Sequence, residues 1–130
     1  MDKLAVLLVS GDLEKIQAGA MIASVAAQME REVTVFVSMD ALLAFKKEIV
    51  ESKKFKTSGE VGKAIIEKNA PSFVELLRMS REMGNIKIFA CSMVLDMFNL
   101  KLEDLVDIFD KQMGVAAFVN KTEDSQVMVF

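Results

Sequence analysis

Ile86-Lys87-Ile88-Phe89-Ala90-Cys91, followed at once by Ser92-Met93-Val94-Leu95-Asp96-Met97-Phe98, is the stretch on which the fold turns. Its first half is apolar and rich in β-branched and aromatic residues, which predicts a strand over Ile86–Ala90 ending at Cys91. Its second half predicts a short helix from Met93 to Phe98. On the N-terminal side, Gly84 is a suitable cap for a helix from Ser72 to Met83, and Pro71 opens that helix where proline is tolerated. A strand entered from one helix and left into another belongs to a βαβ arrangement.

The rest of the chain repeats the pattern. Lys3 to Ser10 is a nearly continuous apolar run, suited to a strand covered on both faces. Ser10-Gly11-Asp12 supplies turn and cap chemistry for a helix from Leu13 to Glu30, whose centre is small or apolar on nearly every side. Glu32 to Ser38 predicts a second strand, and a helix begins near Asp40. A lysine-rich stretch with Lys53, Lys54, Lys56, Lys63 and Lys68 follows, containing a loop at Lys56-Thr57-Ser58-Gly59 and a short helix to Lys68. Beyond Phe98, a helix is expected over Leu102–Gln112, a fourth strand over Gly114–Val119 and a fifth over Gln126–Phe130.

These elements predict an α/β fold: three layers, α/β/α, around a mostly parallel sheet of about five strands, residues 1–130 forming a single domain. Asn120 to Ser125 is too short for a helical crossover, so the last strand is expected to pair antiparallel with the fourth.

Composition narrows the chemistry. Hydrophobic residues make up 52% of the 130 residues, enough for a sizeable core. A net charge of −3 gives no strong pull toward nucleic acid or an anionic membrane. No apolar run reaches the roughly 18 residues of a membrane span. The opening Met1-Asp2-Lys3 lacks the pattern of a secretory leader. There is one cysteine, which fits a reducing, cytoplasmic setting. There is no histidine, which removes the commonest general base and metal ligand, and with them a Ser-His-Asp triad or a Cys-His dyad. No metal site and no cofactor are expected.

In open α/β sheets, ligands bind beyond the carboxyl ends of the strands. That address gathers Ser10, Gly11 and Asp12 after the first strand, Ser38, Met39 and Asp40 after the second, and Cys91, Ser92 and Met93 after the third. Unpaired amides and the positive end of a helix dipole favour a thiolate at such a cysteine. The residues alone leave a second reading open, in which Cys91 is a small buried hydrophobe. Ser10-Gly11-Asp12 reads equally as an ordinary turn, and the ten methionines mostly as core filling.

Ile88-Phe89-Ala90-Cys91-Ser92-Met93-Val94-Leu95-Asp96-Met97, with Leu102-Glu103-Asp104-Leu105 and Gly114-Val115-Ala116, resembles the DsrE/DsrF-like family of sulfur-relay proteins, and within it the peroxiredoxin-like branch. Ser10 to Lys15 and Val33 to Phe36 are similar to that family's first loop and second strand, while Lys46 to Ala70 match least. The chain departs from the family at Phe36-Val37-Ser38-Met39-Asp40, where an aromatic-rich segment is usual, and at Asn99, where a glycine is usual.

The resemblance implies an α/β/α fold, assembly into homo- or hetero-oligomers, and a cysteine that carries sulfur as a persulfide or thiosulfonate. By position that cysteine is Cys91, with Ser10, Gly11, Asp12, Ser38, Met39, Ser92 and Met93 as the residues expected around the substrate. The function expected is a cytoplasmic sulfur carrier or sulfurtransferase. It would assemble as a trimer, tetramer or hexamer and pass sulfur to a small sulfur-carrier protein or other thiol. Alternatives are an oligomeric binding module with a structural cysteine, or a thiol peroxidase; the latter lacks a resolving cysteine.

Overall fold

The computed structural model describes residues 2–130. The elements in chain order are β1 (Lys3–Leu8), α1 (Leu13–Gln28), β2 (Glu32–Val37), α2 (Met39–Leu43), α3 (Lys47–Ser52), α4 (Glu60–Glu67), α5 (Phe73–Met83), β3 (Ile86–Cys91), α6 (Ser92–Met97), β4 (Lys111–Met113), α7 (Val115–Lys121) and β5 (Gln126–Val129). A short 3-10 turn, Leu102–Asp104, lies between α6 and β4.

The five strands form one sheet in the order β4-β3-β2-β1-β5. Every pairing is parallel. β1 to β4 step one way across the sheet, and β5 returns to the far side of β1. Right-handed crossovers therefore place α1 and the α2–α5 connection on one face and α7 on the other. Contacts agree with this. Leu8 points at Gly19 of α1, where an added Cβ would lie 2.4 Å from its Cδ2. Ser24 of α1 and Ser80 of α5 share a buried hydroxyl bond of 2.9 Å. On the opposite face Phe118 of α7 stacks on Phe36 of β2 at 4.7 Å between centroids. The core runs between the layers through Val6, Val35, Ile88, Leu13, Ile16, Leu77 and others, all buried.

The last third corrects three expectations. The helix expected over Leu102–Gln112 is instead the 3-10 turn, an irregular stretch and β4. Leu105, Val106 and Ile108 are buried there without helical backbone. Val106 N–H donates to the Phe45 carbonyl at 2.9 Å, and Asp110 clamps β3 by donating its N–H to Ile88 O and accepting the Ile88 N–H, both at 2.7 Å. The strand expected over Gly114–Val119 is helix α7, with alanines at 116 and 117 and Thr122 bonding the Phe118 carbonyl at 2.8 Å. The last strand is not antiparallel. With α7 in place, residues 114–125 supply the dozen or so positions that a parallel crossover needs, and β5 pairs parallel with β1, Leu4 opposite Gln126.

Candidate functional site

Because the sheet is wholly parallel, all strand ends of one kind share an edge. β1, β2 and β3 are neighbours, so Ser10, Ser38 and Cys91 stand along the same carboxyl edge. Val37 pairs with Ala90, which sets Ser38 level with Cys91 on the adjacent strand. On the other side Cys91 pairs with Met113 of β4. The chain leaves β3 toward the α1 face and leaves β4 toward the α7 face, so the topological switch point lies between these two strands. Cys91 sits at that junction.

Cys91 ends β3 and occupies the N-cap position of α6, with extended backbone (φ −66°, ψ 118°). Strand alternation puts its side chain on the face of Phe89 and Phe36, the α7 side. The Lys121 ammonium lies 5.6 Å from the centre of the Phe89 ring on that face. The thiol is fully enclosed, at 0% exposure. Ser92 beside it is half-buried. Met93 at 46%, Met97 at 65% and Phe98 form an exposed apolar rim over the same helix. Asn99 adopts the left-handed backbone (φ 52°) that ends α6, in the place where glycine is more usual.

The other two strand ends are tied together by backbone. Ser38 N–H donates to Leu8 O at 2.9 Å, and Ala41 N–H to Val9 O at 3.1 Å. Gly11 passes so close to the start of α2 that a Cβ there would lie 3.0 Å from the Asp40 Cβ. Ser38 is buried. Met39 is exposed and held at φ 49°, an uncommon conformation for a methionine. Asp12 holds the N-cap position of α1 without a side-chain cap bond. Ser10 Oγ accepts the Asp12 N–H at 3.1 Å, and the Asp12 carboxylate faces Lys56 Nζ at 3.7 Å. Ser38 and Cys91 are thus brought to one level, whereas Ser10, Gly11 and Asp12 belong to a neighbouring turn that engages Lys56. Among the described residues, no three cysteine or carboxylate side chains gather as a metal site would need.

Sequence reading overlooked Glu14. Its carboxylate accepts the backbone N–H groups of Ser58 (3.0 Å), Gly59 (2.8 Å) and Gly62 (3.1 Å) at the start of α4. A Cβ at Gly62 would run into the Glu14 carboxylate, so a side chain there would displace the anchor. The spacing Gly59-x-x-Gly62 was the available signal. These amides, Ser58 first, lower the Glu14 pKa from 4.5 to about 2. A depressed carboxylate adds stability that is fully present above its unfolded value and is lost as pH falls through its folded value. The urea midpoint is therefore expected to fall as pH drops from about 4.5 toward 2. Glu14→Gln is expected to flatten that slope, and an unchanged slope would show that the anchor contributes nothing.

Over nearly full lengths (98% of this chain, 96% of the relative) the chain is 28% identical to an uncharacterized Bacillus subtilis protein, YrkE. The structure superposes on the ychN protein from E. coli with a TM-score of 0.67 at 15% identity, each chain covered completely. It also superposes on MTH1491, a protein of unknown function from Methanobacterium thermoautotrophicum, with a TM-score of 0.57 at 12% identity and complete coverage of both. Residues 56–130, which include β3, Cys91 and α6, match the model of the DsrE/DsrF/DrsH-like family. Since that match spans more than half of the chain, the protein belongs to the DsrE/DsrF/DrsH-like family.

Proposed function

We propose that this protein is a cytoplasmic sulfur carrier that holds sulfane sulfur on Cys91 and hands it to a thiol of a partner, such as a small sulfur-carrier protein. The observation that carries this reading is the address of the sole cysteine: the carboxyl end of β3, beside the switch point of the sheet, within the family-matched segment. In the reaction, the Cys91 thiolate attacks the outer sulfur of a donor persulfide. The new S–S bond forms as the donor's own S–S bond breaks, and the donor leaves as a thiolate. The acceptor thiolate then attacks the outer sulfur on Cys91, and Cys91 departs as thiolate. No histidine is needed in either step. Met39, Ser38, Ser92 and Met93 would surround the carried sulfur, with the exposed methionines meeting the partner.

With Cys91 fully enclosed, the packing over the thiol has to open before either attack. The enclosure also favours a second reading, a structural cysteine in an oligomeric binding module. Intact-protein mass spectrometry after incubation with a small-molecule persulfide separates the two. A carrier gains one sulfur that an added thiol removes. A structural cysteine gains none in the native chain and reacts only when the chain is unfolded in urea.

Self-association forms part of the proposal. Met21, Ile22 and Val25 leave the outer side of α1 exposed and apolar, with Met29 just past its end, and Val119, Val127 and Val129 do the same for α7 and β5. A trimer, tetramer or hexamer is expected by light scattering at high micromolar concentration; a monomer mass would overturn this part of the proposal.

A further inference from the structure

We propose that the cavity between α1, α3, α4 and α5 binds a small zwitterion with an apolar body, of the size and kind of a free aliphatic α-amino acid. It shares no lining residue with the Cys91 edge, so the inference stands apart from sulfur carriage. The cavity has a volume of about 280 Å³. Ligand sites commonly span about 300–1,000 Å³, so this one suits an amino-acid-sized molecule and is too small for a nucleotide.

Its walls are Leu13, Val50, Phe55, Ile65 and Ile66. The last four pack against the core only in part and keep apolar surface free. Ile65 and Ile66 belong to α4, the helix that Glu14 anchors at its first turn, so this wall is held in place by the three amide bonds already described. An apolar ligand body displaces water from these walls.

The lining also carries one charge of each sign, the exposed Lys53 and Glu75. Among the described residues neither is in an ion pair. Lys53 Nζ donates to Asn69 Oδ1 at 2.7 Å, which positions the ammonium and leaves its other protons for a ligand. Lys53 and Asn69 close α3 and α4 respectively, both with left-handed backbone (φ 57° and 49°). Two uncommon conformations, joined side chain to side chain, thus line one cavity. A carboxylate meets Lys53 and an ammonium meets Glu75. A ligand with a single charge satisfies one of them and leaves the other unpaired.

The test is a titration of the full chain, labelled at Ile, Leu and Val methyl groups, with L-leucine, 4-methylpentanoate and isopentylamine, followed by NMR. Leucine is expected to give saturable shifts at the methyls of Leu13, Val50, Ile65 and Ile66. Each single-charge analogue is expected to bind about tenfold more weakly or worse, the worth of one charged hydrogen bond. Lys53→Met and Glu75→Gln are each expected to weaken leucine by a similar factor, with signal dispersion reporting that the variant is folded. Absence of saturable leucine shifts at these methyls up to millimolar concentration, shifts confined to other methyls, or equal affinity for a single-charge analogue would each overturn the proposal. The wild-type titration decides the matter even where a variant fails to fold.

Discussion

Cys91→Ala is expected to abolish sulfur uptake from a persulfide donor completely, because the chain has no second thiol. Alanine is the sharper substitution here. Serine matches the size of cysteine but brings a hydroxyl to a position with no exposure, and an unpartnered buried hydroxyl costs about 1–3 kcal/mol. Alanine leaves only a small void. The measurement is the intact mass of wild type and variant after exposure to donor, with and without added thiol, alongside thermal melts of both. Wild type is expected to carry a thiol-removable sulfur and the variant none, with the fold retained. A sulfur that persists on the alanine variant would place the chemistry elsewhere and end the carrier reading of Cys91.

Phe45→Ala is expected to lower stability by about 3–5 kcal/mol, the usual cost of deleting a buried phenylalanine side chain. Phe45 is fully buried at the turn between α2 and α3. Its ring meets Phe73 of α5 edge-on at 4.8 Å and Phe109 at 5.5 Å. Its carbonyl accepts the Val106 N–H, and the next residue, Lys46, bridges Leu105. One side chain thus joins three parts of the molecule far apart in sequence, including the irregular connection from β3 to β4. The urea midpoint measures the loss, and hydrogen exchange is expected to accelerate over 102–110 before elsewhere. Met79→Ala, on the exposed side of α5, is the matched control and should change stability by no more than about 0.5 kcal/mol. A Phe45→Ala midpoint no lower than that control would contradict the assigned role.

The legible parts of the fold are those with long, unambiguous patterns. The runs at 3–8, 32–37 and 86–91 are strands because continuous apolar, β-branched sequence has no helical alternative bounded by such clear turns. Gly84 and Asn99 both end helices with left-handed backbone, as their residue types suggest. Residues 102–119 were not legible. Leu102-Glu103-Asp104-Leu105-Val106 has helical spacing, yet its apolar groups are buried by packing under Phe45 rather than along a helix face. Gly114-Val115-Ala116-Ala117-Phe118-Val119 is short and apolar, and periodicity alone does not separate a strand from one buried helical turn. That single exchange of helix for strand also reversed the expected direction of β5.

At the candidate site, the shared edge was legible because it follows from strand order along the chain. The enclosure of Cys91 was not, since a cysteine at a strand end is compatible with either a buried or an open thiol. The anchoring of α4 by Glu14 left only the spacing of Gly59 and Gly62 as a trace, because the partners are 44 and more positions away and the bonds go to backbone amides.

The exposed thioethers have a consequence for oxidants. Met21, Met29, Met39, Met79, Met83, Met93 and Met97 all stand in solvent while the thiol is sealed. Peroxide therefore meets sulfur that forms sulfoxide well before it meets sulfur that forms sulfenic acid. Two oxygens weigh nearly the same as one sulfur, so a twice-oxidised chain and a persulfidated one share a nominal mass. They part on treatment with a simple thiol, which strips the carried sulfur and leaves both sulfoxides in place. The order of exposure thus predicts that methionine sulfoxides accumulate before Cys91 is oxidised.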